Sequence, residues 1–220
     1  MLDLAVEYQD YILRGVVYTI AITLISLSMG FTISLVLTAA RFLGFKPLRL
    51  AAEAYINFFR GTPLLVQILM VFFGLPSIGI NLSAFHSAVI AIGLNSGAYQ
   101  AEILRVAIKG IPEEQMLVAR SLGLSEIEIM KGVVIPQAVR NAIPGLTNEA
   151  VILLKESSLA SVIGVMELTR VGEYMVSATF RALEAYLLIA LIYLSLSMIA
   201  FRLLKRAEKS LAIPGFERWV

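Results

Sequence analysis

Among the polar side chains inside long apolar stretches, the informative ones for chemistry are Asn57, Arg60, Gln67, Asn95, Tyr99, Glu102, Glu149, Lys155 and Glu156. A charged side chain at the centre of a bilayer costs on the order of 3 kcal/mol, so it turns toward a helix bundle or a wet cavity. Glu149 and Glu156 are seven residues apart. Two helical turns return them to nearly the same face, about 10 Å apart along the axis, with Lys155 beside that face. Three acids, Glu102, Glu149 and Glu156, stand against two bases, Arg60 and Lys155. The negative excess suits a cavity that takes a cationic solute. Glu149 has no evident local partner and is free for such a contact. Arg60, Glu102, Lys155 and Glu156 read as structural or gating pairs that lock helices together.

Other chemistries are absent from the sequence. There is no Gly-x4-Gly-Lys-Ser/Thr loop, no nucleophile elbow and no His-Glu-x-x-His pattern. The lack of cysteine removes disulfides and thiolate metal sites. The single histidine, His86, is expected to pack near the outer end of a span rather than to switch protons. No metal site, no catalytic residue and no nucleic-acid partner are expected.

The elements that must position these residues are membrane helices. The chain is 59% apolar with a mean hydropathy of +0.84, and only 15% of it is charged, where a soluble domain carries about a quarter. Five spans are expected, near 16–40, 51–73, 84–108, 143–165 and 182–204. Residues 1–15 form an amphipathic lead-in or a disordered tail, with no cleaved signal peptide. Arg41, Lys46 and Arg49 follow the first span. Lys109, Arg120, Lys131 and Arg140 follow the third, and Arg202, Lys205, Arg206 and Lys209 close the fifth. This distribution puts the N-terminus outside and the C-terminus in the cytoplasm. The fold class is an all-α membrane protein, one transmembrane domain over 1–220. No internal repeat is evident.

The 109–140 loop, KGIPEEQMLVARSLGLSEIEIMKGVVIPQAVR, is densely punctuated. Pro112, Glu113 and Glu114 open a short helix with favourable charge at its N-terminus. Met116, Val118, Ala119 and Leu122 lie on or near one side, and Gly123 supplies a left-handed C-terminus. Ser125 and Glu128 have the spacing of a capping box and begin a second helix. A docking element is expected in place of a solvated linker.

This loop resembles the signature of permease subunits of bacterial ABC importers: Glu-Ala-Ala, three residues, Gly, nine residues, then Ile-x-Leu-Pro. Here the register is Leu117-Val118-Ala119, Gly123 and Val133-Val134-Ile135-Pro136. The Gly-to-Pro spacing matches, while Leu117 and Val118 replace the usual Glu-Ala. RGTPLLVQ at 60–67, GAYQAEILRVAIKGIPEEQ at 97–115 and LLKESSLASVIGVMEL at 153–168 also resemble the polar amino-acid permeases, the histidine, glutamine and arginine type.

The resemblance implies a type I importer of the bacterial inner membrane with paired five-helix subunits, identical or paralogous. Each presses a coupling helix, here Pro112 to Gly123 with Leu117, Val118, Ala119 and Arg120, onto one of two ATPase subunits that hold ATP and Mg. The chain itself carries no cofactor. An extracytoplasmic binding protein delivers arginine, lysine, histidine or glutamine. Glu149 would meet a cationic side chain and Ser158 or Asn57 a carboxylate, with Gln67 and Tyr99 completing the site. Two other classes stay open: a stand-alone ion-coupled carrier that uses Glu149, Glu156 and Lys155 as a relay, and a membrane enzyme or scaffold.

Overall fold

The computed structural model describes residues 1–211, with Leu43, Lys209, Ser210 and Leu211 described by backbone alone; 212–220, the end of the expected 1–220 domain, lie outside the described residues. Among the described residues all regular structure is helical. Ten α-helices run α1 Leu2–Glu7, α2 Gln9–Leu43, α3 Lys46–Gly61, α4 Leu64–Leu69, α5 Ala84–Lys109, α6 Glu113–Ser121, α7 Glu126–Ile129, α8 Ile135–Glu156, α9 Leu168–Thr179 and α10 Ala182–Leu211. π-helical segments at Met70–Gly74 and Met130–Val134 extend α4 and α7, and a 3-10 segment at Ser157–Ile163 extends α8.

By length and apolarity alone, two helices cross a bilayer, α2 and α10, with mean hydropathies of 2.2 and 2.3; a third crossing results if α3 and Leu64–Ile78 count as one span. The expected five are therefore reduced to two or three. The shortfall lies in α5 and α8, whose inward faces carry Asn95, Ser96, Gln100, Thr147 and Glu149, all buried. Polar groups turned into a bundle lower a helix's hydropathy without exposing it to lipid.

The single span expected over 51–73 is also corrected, because the chain bends by 106° between α3 and Leu64–Ile78. Pro63 has no N–H to give the Phe59 carbonyl, so α3 ends there. The helix expected over 143–165 begins earlier, at Ile135, and ends at Glu156. The lead-in is helical: Leu4 and Tyr8 pack on Val171, Met175 and Ala185. Arg181 closes on Asp3 at 2.6 Å and on Glu184, and its guanidinium holds the Asp3 carboxyl well below the usual carboxylate range.

Helix α5 is the hub. It packs against α2, α3, α4 and α8, with small or polar residues on its buried faces. Its approach to α2 is so close that a Cβ on Gly30 would meet Gln100 Nε2 at 2.8 Å and the Gly97 backbone nitrogen at 3.0 Å. Such backbone proximity replaces side-chain burial as the source of packing between apolar helices.

Candidate functional site

The polar residues gather on two sides of α5. On the side of the α3–α4 bend, the Phe59 carbonyl orphaned by Pro63 accepts from Asn95 Nδ2 at 2.9 Å and Gln67 Nε2 at 2.9 Å. Asn95 also donates to Gln67 Oε1 at 3.0 Å. Two buried amides thus take over from the missing backbone donor. Gln67, expected to touch solute, is 3% exposed and braces the bend from behind.

On the α8 side, Ser96 Oγ donates to Glu149 Oε1 at 2.8 Å, and Gln100 Nε2 donates to Ser96 Oγ at 2.9 Å and to the Leu27 carbonyl at 3.2 Å. Glu149 is expected to lack a local partner, and among the described residues α8 offers it none, only the like charge of Glu156. Its partner, Ser96, is on another helix, where spacing along α8 does not reveal it. Glu149 is buried against α5, whereas Glu156 and Lys155 line an open groove of about 360 Å³ with Ile152, Ser158 and Leu159. Among the described residues neither Lys155 nor Glu156 forms an ion pair, since neighbours in a helix do not face each other.

Glu102 is paired, as expected, but with more partners. Its Oε2 accepts from Arg41 at 2.9 Å and its Oε1 from Arg105 Nε at 2.8 Å, while Arg60 stands 4.0 Å away. The Glu102–Arg105 pair was visible in the sequence as an i,i+3 spacing. Arg41 was counted only as a loop charge. The predicted negative excess is therefore not uniform: the α8 side is acidic and the α3 side is basic.

Tyr99 separates the two. It lies three residues from both Ser96 and Glu102, so it points between the α8 and α3 directions, and it is exposed. The Arg60 guanidinium sits 5.3 Å over its ring. Along this face of α5, α3 carries the exposed side chains Asn57 and Arg60 on one flank and α8 packs on the other. The α5–α8 contact is tight, since a Cβ on Gly145 would meet Ile103 at 2.7 Å. Ser158 is half-buried just past the end of α8, and His86 is exposed near the start of α5 with its ring 2.7 Å from Ser83 Oγ.

The second site hangs between α5 and α8. Pro112 caps α6, and Gly123 takes φ +82° just past the α6 C-terminus. Both bonds of the Ser125–Glu128 capping box are present. Arg120 Nε donates to Glu126 at 2.7 Å. That guanidinium lowers the Glu126 carboxyl, and the Ser125 hydroxyl and N–H lower that of Glu128.

One expectation here is corrected. Ala119 is not part of an outward apolar knob but is buried with Ile111, Ile129, Val134 and Ala138. The helical turn that carries Val118 outward carries the next residue in, where a methyl group fits. The outward face is made by Leu117, Val118, Leu122, Leu124 and Ile127. Gln137 Nε2 donates to Gln115 at 2.6 Å and ties this foot to α8.

The sequence profile of the family described as "Binding-protein-dependent transport system inner membrane component" matches residues 30–213. The probable amino-acid ABC transporter permease protein YckA of Bacillus subtilis (strain 168) is 41% identical over 197 residues, covering 90% of this chain and 87% of that protein. The arginine transport system permease protein ArtQ of the same organism is 36% identical, covering 91% and 92%. A solved structure, "Crystal structure of an amino acid ABC transporter with histidines", superposes with a TM-score of 0.89 at 38% identity, covering 93% of this chain and 96% of that one. The methionine transporter MetNI, at 18% identity and a TM-score of 0.77, shares the fold. The chain therefore belongs to the binding-protein-dependent transport system inner membrane components, and within them to the amino-acid ABC transporter permeases, which are transport subunits and not catalysts.

Proposed function

We propose that this chain is the membrane subunit of an ATP-driven importer of polar or basic amino acids: arginine, lysine, histidine or glutamine. It pairs with a second permease, identical or paralogous, and each copy docks one of two ATPase subunits through the α6–α7 foot. ATP and Mg belong to that partner. An extracytoplasmic binding protein supplies the solute. The N-terminus lies outside and the C-terminus in the cytoplasm, following the basic residues. Under this reading α5 and α8 cross the bilayer with α2, α10 and the bent α3–α4 pair.

The observation that carries the reading is the foot. Its exposed apolar side chains project from a turn fixed by Gly123 and the capping box. An apolar patch of this kind on a small rigid element suits a protein groove better than water. The α8 side above it supports the solute class. Glu156 on the open side of α8, with the buried Glu149 earlier on the same helix behind Ser96, makes this side acidic and suits a cationic side chain, while Asn57, Tyr99 and Ser158 supply polar contacts. Gln67 holds the α3–α4 bend in place.

Reconstitution tests the proposal. Proteoliposomes holding this permease, its ATPase and its binding protein take up arginine, lysine, histidine or glutamine only with ATP. Uptake of equal rate by this chain alone, driven by a proton or sodium gradient, overturns it.

A further inference from the structure

We propose that the cavity between α2, α5, α8 and α10 takes one acyl chain of an aminophospholipid, whose ammonium group meets Glu208 at the cavity mouth.

The cavity has a volume of about 530 Å³, and its apolar wall is made by Leu27 and Phe31 of α2, Ile143, Leu146 and Ala150 of α8, and Leu204 of α10. Pockets that hold small ligands span roughly 300–1,000 Å³. Ile143 and Ala150 are seven residues apart, so the α8 side of the cavity runs about 10 Å along that helix. Polar side chains also line it, but their donors are committed elsewhere. Ser28 Oγ donates to the Leu24 carbonyl at 2.8 Å and Thr32 Oγ1 to the Ser28 carbonyl at 3.1 Å. Gln100 Nε2 donates to Ser96 Oγ and to the Leu27 carbonyl. A wall of this kind offers water few partners and suits hydrocarbon.

The mouth decides where the occupant comes from. Helices α2 and α10 are the two that cross a bilayer by length and apolarity alone. Ser28, Phe31 and Thr32 are exposed on the α2 rim, and Phe201 and Leu203 are exposed beside the α10 rim. The cavity therefore opens sideways between two lipid-facing helices, and a lipid tail is the apolar group that meets it.

The polar end selects the lipid. Glu208 lines the cavity near the C-terminal end of α10, where Arg202, Lys205 and Arg206 are exposed. Basic side chains at a helix end attract the phosphate that all phospholipids share. Glu208 is an acid among them. Its Oε2 is buried and receives no hydrogen bond, and Lys205 stands 3.5 Å from it, with its ammonium 5.8 Å over the Phe201 ring. A carboxylate oxygen buried without a donor is costly. An ethanolamine headgroup answers both charges: its phosphate draws Lys205 outward, and its ammonium, with three N–H donors, takes the place of Lys205 on Glu208. A choline headgroup has the same charge but no N–H. A glycerol headgroup leaves a net negative charge beside the carboxylate.

The test is lipid retention by the permease–ATPase complex. The complex is extracted from vesicles of equal parts phosphatidylethanolamine, phosphatidylcholine and phosphatidylglycerol with matched chains, and bound lipids are counted by native mass spectrometry. The wild-type complex retains phosphatidylethanolamine over phosphatidylcholine by about fivefold or more, the scale of one charge-assisted hydrogen bond at a half-exposed site. Glu208→Met removes the acceptor and brings that preference to within about twofold, with lipid still bound. Ser28→Trp fills the cavity from its exposed rim and releases the retained lipid while the ATPase stays bound. If that variant fails to assemble with the ATPase, Thr32→Trp on the same rim takes its place. Equal retention of the three lipids, a preference for phosphatidylglycerol, or a preference unchanged in Glu208→Met overturns the aminophospholipid site. Retention unchanged by the tryptophan overturns the cavity as its place. A wild-type complex that retains no lipid, with a Ser28→Cys thiol shielded from a membrane-soluble reagent, assigns the cavity to a second copy of the chain and overturns the proposal.

Discussion

Truncating Leu122 tests the foot most directly. Its side chain is 76% exposed and stands just past the last turn of α6, so its removal leaves the fold of the foot unchanged. Complete burial of a leucine side chain contributes about 1.5–3 kcal/mol. Covering the three-quarters now exposed contributes about 1–2 kcal/mol, a factor of roughly 5 to 30 in affinity. Leu122→Ala forfeits most of this, and Leu122→Asp adds the cost of burying an unpaired carboxylate, carrying the loss beyond a hundredfold, by rough estimate. The assay is binding of the labelled ATPase to the permease in nanodiscs, followed by solute-dependent ATP hydrolysis. Leu183, 82% exposed at the opposite end of the molecule from the foot, gives the control: Leu183→Ala leaves ATPase binding unchanged. If both Leu122 variants bind the ATPase within twofold of wild type, the foot is not the docking element.

Three further outcomes are expected. Glu149→Gln weakens arginine and lysine uptake roughly tenfold or more and glutamine uptake less, because a neutral amide keeps the Ser96 bond but loses the charge; equal losses for the three solutes remove the case for cation recognition. Gly30→Ala forces a methyl to within 2.8 Å of Gln100 and 3.0 Å of the Gly97 backbone, at about 1–3 kcal/mol, whereas Gly74→Ala meets nothing within 4 Å; thermal melting that fails to separate the two variants refutes the close α2–α5 packing. Glu126 and Glu128 have lowered carboxyls in the folded foot, so their contribution is complete above the ordinary value of 4.5 and fades as pH falls below it. Hydrogen exchange of the amides at 125–129, corrected for intrinsic rate, speeds up below that pH in wild type. A Glu126→Gln/Glu128→Gln variant shows no such step, and an identical step in that variant counts against the assignment.

The foot was legible in the sequence because its determinants are local. Pro112, Gly123 and the Ser125–Glu128 spacing each dictate backbone geometry within four residues, and each appears where it was expected. The polar sites on α5 were less so. The partner of Glu149 is 53 residues away on α5, and Arg41 reaches Glu102 across 61 residues. Contacts of that range depend on how helices are packed, which helical spacing does not encode. The α3–α4 bend had a local cause in Pro63, but its repair by Gln67 and Asn95 depends on a second helix. Gln67, expected as a solute contact, is needed with Asn95 to satisfy a carbonyl. The span count of two or three falls below the expected five for a related reason: the inward polar faces of α5 and α8 lower their hydropathy. Hydropathy treats a polar face as a mark against crossing, whatever that face is turned toward.

The two sites share their supports. The foot joins the C-terminal end of α5 to the start of α8, the helices that carry Tyr99 and Glu149. Ile111, which follows α5, packs in the same cluster as Val134 and Ala138 at the base of α8. Above it, Gly145 rests on Ile103 and Glu149 is held by Ser96, so α8 bears on α5 along its length. The link from α7 to α8 is a π-helical segment, Met130–Val134, with Gly132 inside it and open space around that glycine. π-segments interrupt the regular ladder and often mark functional positions. A load applied to Leu122 or Ile127 therefore reaches α8 through one irregular joint and reaches α5 through packed apolar contacts. A displaced foot is expected to shift α8 against α5, the two helices that the Gly145–Ile103 and Ser96–Glu149 contacts hold together.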